Sequence, residues 1–167
     1  MWRLLLIATI FTVNSQSQST PAPAATSVGQ PIPFSHKQHT SGAHLNCVDC
    51  HKLAPSGEVV SIPTGKSCMT CHAQIARDKP AIEDLKSYVD EKQSVPWIRV
   101  YEIPSFVEFN HKTHLDAGAN CATCHGPVAT RDYLWRETDL SMGGCLACHR
   151  AKQASTNCRT CHDLENF

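Results

Sequence analysis

Hydrophobic positions along the chain predict one amphipathic helix and few other regular elements. In residues 80–89 the apolar positions are 82, 85, 88 and 89, which gathers them on one face of a helix that begins with proline. Residues 95–109 are also apolar but are interrupted by prolines, which predicts an extended connector. The remainder shows no sustained period, so we expect a mostly irregular chain with short α-helices and little or no sheet.

The N-terminus has the pattern of an export signal. Arg3 precedes an apolar run over residues 4–13 and then a polar stretch, which predicts a signal peptide over residues 1–15. The run of about ten residues is short for a bilayer span, although an uncleaved N-terminal anchor is the alternative. Residues 16–33 are rich in Pro, Ala and Ser and predict a flexible linker. We therefore expect a periplasmic or other extracytoplasmic location.

All ten cysteines fall in five copies of the pattern C-x-x-C-H, which is typical of a covalently attached c-type haem. Two thiols three positions apart form thioethers to one edge of a porphyrin, and the histidine that follows becomes the proximal ligand of the iron. The copies are Cys47, Cys50 and His51; Cys68, Cys71 and His72; Cys121, Cys124 and His125; Cys145, Cys148 and His149; and Cys158, Cys161 and His162.

Two other interpretations of C-x-x-C explain the pattern less well. Zinc knuckles need pairs of motifs to share a metal, and an odd number of motifs with a histidine at the same place each time does not fit that scheme. A thioredoxin-like pair needs a βαβ context that the sequence lacks. We therefore predict five covalently attached haems as cofactors, with no cysteine left for a disulfide or a catalytic thiol.

The composition agrees with haems in place of a conventional core. The 167 residues are 41% hydrophobic but only 7% aromatic. About 150 mature residues leave about 30 for each of five haems, so the chain is expected to wrap them and to be largely unfolded without them. The polypeptide has 15 basic and 15 acidic residues. Haem propionates would make the assembled protein acidic, so nucleic acid is not an expected partner.

An internal duplication organises the motifs. The pattern F-x-H-K-x-H occurs twice, with His36 and His39 ahead of Cys47, and with His111 and His114 ahead of Cys121. Each copy is followed by a second haem motif, which predicts a pentahaem domain over residues 34–167. Its expected parts are a two-haem module (34–79), a helix and connector (80–105), a second two-haem module (106–150) and a fifth haem unit (151–167).

The paired histidines are candidate distal ligands of the haem irons. Their i, i+3 spacing fans the two imidazoles apart, so that each caps a different haem. The expected pairs are His36 with the Cys47 haem, His39 with the Cys68 haem, His111 with the Cys121 haem and His114 with the Cys145 haem. For the remaining haem the sequence offers His44 or Met142, and spacing does not decide between them. A methionine ligand would raise the potential of that haem.

The two F-x-H-K-x-H units with their motifs resemble the multihaem cytochrome c3/c7 family. A longer series is similar to the pentahaem cytochrome subunits of alternative complex III, a quinol-oxidising membrane assembly. That series comprises Pro63-Thr64 ahead of residues 68–72, PWIRV at 96–100, FNH at 109–111, CHGPV at 124–128, LSMG at 140–143 and CHR at 148–150. The resemblance implies distal ligation by the paired histidines and makes Met142 a more credible fifth ligand than spacing alone would, with His44 still the alternative.

Electron transfer between redox proteins is the function that these residues favour. Ten axial positions face ten candidate ligands, so six-coordinate irons have no vacancy for a substrate and no catalytic residue is expected. The resemblance implies partners such as an iron–sulfur or molybdopterin-type protein or a quinol-oxidising complex, with membrane contact through a partner or an uncleaved N-terminus. The alternatives are a multihaem reductase with one open haem and a haem-bridged structural subunit of a respiratory complex.

Overall fold

The computed structural model describes residues 29–164. The predicted signal peptide and residues 16–28 of the predicted linker lie outside the described residues. The helices are α1 (Cys47–Cys50), α2 (Gly65–His72), α3 (Pro80–Asp90), α4 (His111–Asp116), α5 (Cys121–His125) and α6 (Met142–Ala151), with a π-helical turn at Gln38–Gly42 and 3₁₀ turns at Val128–Thr130 and Cys158–Thr160.

The predicted fold class is confirmed for this part of the chain. The helices are short, and the connections between them are turns and irregular segments. The β-structure within residues 29–164 consists of one antiparallel bridge between Leu53 and Val60. In the same residues, no helix is both long enough and apolar enough to cross a bilayer.

Polar caps help to explain the helical turns at three of the C-x-x-C-H motifs. Asn120 accepts a hydrogen bond from the backbone N–H of Thr123 at 3.0 Å, and Asn157 accepts one from Arg159 at 3.0 Å. Ser141 accepts one from Gly144 at 3.3 Å at the start of α6. Such caps satisfy N–H groups that a first helical turn leaves without partners. Because the two cysteines of a motif are three positions apart, they lie on one side of such a turn.

The predicted amphipathic helix is confirmed as α3, with proline in its first turn. Its Leu85 is 4% exposed and packs with Ile32 and Val95, which flank the first module. These three side chains are the buried apolar core of residues 29–164. So small a cluster supplies little hydrophobic stabilisation for a chain of this length.

Candidate haem-binding sites

Three pairs of imidazole rings face each other at the separation that a haem iron requires. His36 and His51 have ring centroids 6.4 Å apart, His39 and His72 6.0 Å, and His114 and His149 6.0 Å. Two metal–nitrogen bonds of about 2 Å, plus about 1 Å from each nitrogen to its ring centre, give about 6 Å. Each pair therefore fits one iron bound between two imidazoles.

The fourth expected pair, His111 and His125, is also brought together. Burial lowers the pKa of His125, and the neighbouring His111 and His51 lower it further. His51 is thus also a neighbour of His125. All four pairings expected for the two modules therefore correspond to neighbouring side chains, and their role as iron ligands remains a prediction.

Seven of the histidines are held in the tautomer that a haem ligand needs. The Nδ1 atom of each lies 2.6–3.1 Å from a backbone carbonyl oxygen. A carbonyl only accepts, so Nδ1 donates and the lone pair is left on Nε2, where iron binds. The seven are His39, His51, His72, His111, His114, His149 and His162.

His36 is kept neutral mainly by burial. Desolvation lowers its pKa to about 4, and the neighbouring imidazoles of His51 and His39 contribute to the shift. A neutral imidazole keeps the lone pair that a metal ligand donates. His36 therefore fits a distal ligand even though it lacks the carbonyl contact that those seven histidines make.

A phenylalanine fixes each distal pair, a role that sequence reasoning missed. Phe34 stacks on His39 at 4.4 Å and meets His36 edge-on at 4.8 Å. Phe109 repeats the arrangement in the second module, at 4.5 Å from His114 and 4.7 Å from His111. One phenyl ring therefore contacts both imidazoles of a copy and restricts the orientation of each. The phenylalanine in each F-x-H-K-x-H copy was the available signal.

The fifth motif is anchored on the chain that enters the second module. His162 Nδ1 donates to the carbonyl of Phe106 at 3.1 Å, and Glu108 N–H donates to the carbonyl of Cys161 at 2.8 Å. Within residues 29–164 no second imidazole pairs with His162 in the way that His36 pairs with His51. The structure therefore orients His162, but the part of the chain that it describes brings no histidine opposite that ring.

The two candidates for the fifth distal ligand lie in different surroundings. His44 is exposed, has a left-handed backbone with φ 56°, and its imidazole makes no hydrogen bond within the described residues. Met142 is the first residue of α6 and is 65% exposed. It precedes Cys145 by one helical turn, so both lie on one face of α6.

Electrostatic contacts between cysteines show which motifs are neighbours. Burial raises the pKa of the Cys121 thiol, and the adjacent Cys47 thiol raises it further. Cys50 acts in the same way on Cys68, and Cys148 and Cys145 act on Cys124. Burial also raises the pKa of Cys145, with Cys161 as the next cause. Thioethers do not titrate, so only the adjacency carries over to the haem-bound protein.

The sequence profile of the cytochrome c7 and related cytochrome c family matches residues 32–89 and 107–163. The chain belongs to this family. The predicted family is therefore confirmed, and the chain is a multihaem c-type cytochrome, an electron-transfer protein with covalently attached haem. The finer likeness to alternative complex III remains a prediction.

Two relatives show the same kind of protein. One, named as the multihaem cytochrome c subunit of menaquinone reductase from Nitratidesulfovibrio vulgaris, is 28% identical over 80% of this chain and 76% of its own length. The other, named as the multihaem cytochrome MtrA from Shewanella baltica, is 26% identical over 72% of this chain. The matched part spans 41% of MtrA. Similarity to these two cytochromes supports the prediction that the partners of this chain are redox proteins in general.

Proposed function

We propose that this cytochrome binds five haems, one at each C-x-x-C-H motif, and relays electrons between redox partners outside the cytoplasmic membrane. The observation that carries the proposal is the set of imidazole pairs at 6.0–6.4 Å, each combining a motif histidine with a histidine of an F-x-H-K-x-H copy. An iron between two imidazoles has no open position. The bound haem supplies one-electron exchange between ferrous and ferric iron, and the protein supplies ligands and surroundings.

Met142 is our choice for the fifth distal ligand. Cys145, one turn further along the same face of α6, is the thiol that lies beside Cys161 of the fifth motif. Met142 therefore lies on the same face of α6 as the cysteine that neighbours the fifth motif. His44 is exposed, and it is not among the seven histidines that a backbone carbonyl orients. Ligation by His162 and Met142 would give this haem the highest potential of the five.

The partner that we propose is a quinone-linked membrane complex. The support is the similarity to a relative named as a menaquinone reductase subunit, together with the resemblance to the cytochromes of alternative complex III. We place the protein outside the cytoplasmic membrane because its first residues have the pattern of an export signal. Within such an assembly this chain would conduct electrons, and quinone chemistry would belong to other subunits.

Haem counting and a potentiometric titration of the purified holoprotein test this function together. An alkaline pyridine spectrum should give five haems per chain, and the titration should show five reversible one-electron steps. Nitrite and related oxyanions should be reduced no faster than by a haem-free control. Four or fewer haems, or steady turnover of an oxyanion, would overturn the proposal.

A further inference from the structure

The two modules are joined by a pair of equivalent backbone hydrogen bonds. Lys37 N–H donates to the carbonyl of Arg131 at 3.0 Å, and Lys112 N–H donates to the carbonyl of Gly57 at 2.9 Å. Lys37 and Lys112 occupy the same position in the two F-x-H-K-x-H copies. Gly57 follows His51 by as many residues as Arg131 follows His125. Each module therefore donates one backbone hydrogen bond to the other module and accepts the equivalent bond from it, as in a two-fold symmetric dimer interface.

Side chains next to these backbone bonds also form hydrogen bonds from each module to the other. Ser35, one residue before His36, donates to the Asp132 carboxylate at 2.7 Å. Its counterpart Asn110 donates to the carbonyl of Ser56 at 3.2 Å. The loop after each module's first motif therefore holds the distal histidines of the other module.

The Cys47 and Cys121 motifs, which are the first motifs of the two modules, meet where the modules join. Cys47 and Cys121 are equivalent residues and lie beside each other, which agrees with the reciprocal backbone hydrogen bonds between the modules. On either side the contacts are again equivalent, Cys50 with Cys68 in one module and Cys124 with Cys145 in the other. The four motifs therefore follow one another in space in an order that differs from their order in the chain.

The symmetry ends at the outer motifs. In the second module the chain just before the F-x-H-K-x-H copy holds the fifth motif, through Glu108 and Cys161 at 2.8 Å. In the first module the corresponding stretch, which includes Ile32, packs on Leu85 of α3. The stretch before one F-x-H-K-x-H copy thus packs on an amphipathic helix, whereas the stretch before the other contacts a haem motif.

We propose that the five haem motifs form one unbranched series in the order Cys68, Cys47, Cys121, Cys145, Cys158. This order rests on the proposed function, because it needs a haem at every motif. With a haem at each motif, a transfer between neighbouring motifs would remove one electron from one site and add it to the next, so the electrons would balance and no proton would move. Every electron then passes the contact between the Cys47 and Cys121 motifs.

Proton NMR of the wild-type holoprotein tests the order. Haem methyl groups are assigned through their own cysteine thioethers, and nuclear Overhauser contacts between haems are then mapped. We expect contacts for four pairs of motifs: Cys68 with Cys47, Cys47 with Cys121, Cys121 with Cys145, and Cys145 with Cys158. A contact between the Cys68 and Cys158 haems, or loss of the contact between the Cys47 and Cys121 haems, would overturn the series.

Two equivalent substitutions, His39→Met and His114→Met, provide a matched second measurement. Each changes the distal ligand of one outer haem of a module and raises its potential. His39→Met should shift the methyl signals of one neighbouring haem, that of Cys47, whereas His114→Met should shift those of two, Cys121 and Cys158. Equal numbers of shifted neighbours would contradict the order. Five low-spin haems in another order would leave the proposed function standing, whereas fewer than five haems would contradict both.

Discussion

The imidazole rings of His36 and His51 lie nearly parallel, with 10° between their planes and 6.4 Å between their centres. They come from opposite ends of the first haem-binding segment, one from a distal-histidine copy and one from a C-x-x-C-H motif. A separation of this size leaves room for one iron between the two imidazoles, as a haem with two histidine ligands requires.

Replacing His36 with alanine should open one iron. The variant is expected to show one high-spin ferric haem and to bind about one equivalent of carbon monoxide per chain when reduced, because the Cys47 haem loses its distal ligand. Optical and EPR spectra measure both effects. His44→Ala is the matched control and should keep the wild-type spectrum. A high-spin signal from the control, with none from His36→Ala, would show that the assignment is wrong.

Much of this site follows from the sequence because haem attachment is a local requirement. The motif residues Cys47, Cys50 and His51 are adjacent in the chain, so their spacing alone indicates the ligand. The distal residues His36 and His39 are also recognisable, because the same pattern recurs at His111 and His114.

Other features depend on contacts between distant parts of the chain. Nothing in the local sequence says that Lys37 bonds to Arg131, or that Cys47 lies beside Cys121. The recurring phenylalanine of F-x-H-K-x-H marks the position of Phe34 in the sequence, but its contacts with two histidines are seen only in the structure. Helix α3 was predictable because its apolar period and initial proline are both local.

Met142→Ala should convert the fifth haem to a high-spin form and remove the highest of the five reduction steps. A methionine ligand raises haem potential, so its loss lowers the potential of that site. Potentiometry with optical detection measures the change. Met69→Ala, which removes a methionine packed near the buried Leu85 cluster, is the control and should leave all five steps in place. An unchanged titration of Met142→Ala would refute this ligand.

Glu137→Gln should destabilise the holoprotein in a pH-dependent way. The hydrogen bonds from Arg131, at 2.7 Å to each carboxylate oxygen, lower the pKa of Glu137 below its ordinary value of 4.5. The carboxylate therefore stabilises the fold fully above about pH 4.5, and this contribution is lost as the pH falls through the lowered pKa. The difference between wild type and variant in guanidinium midpoint should be largest at neutral pH and shrink by pH 3.

The control for this prediction is Asp90→Asn, which breaks the ion pair with Lys86. Both side chains of that pair are about 60% exposed. Exposed helical pairs of this kind contribute about 0.3–0.5 kcal/mol, so the midpoint of the control should move little at any pH. A shift for Glu137→Gln that equals the control, or one that grows in acid, would contradict the role of the Arg131 contact.

The chain without haem should be largely unfolded. Its buried apolar side chains within residues 29–164 are Ile32, Leu85 and Val95, too few to offset the entropy of ordering the backbone. Far-UV circular dichroism of protein made without haem attachment should show little helix and no cooperative thermal transition, in contrast with the holoprotein. Native-like helix content with a cooperative transition would show that haems do not form the core.

The spin state of the oxidised holoprotein tests the central claim most directly. Low-temperature EPR should show five low-spin ferric haems, and the near-infrared spectrum should contain one methionine-ligated signal. Carbon monoxide should leave the Soret band of the reduced protein unchanged. A high-spin signal accompanied by a carbon monoxide-shifted Soret band would reveal an iron open to substrate and contradict a protein that only relays electrons.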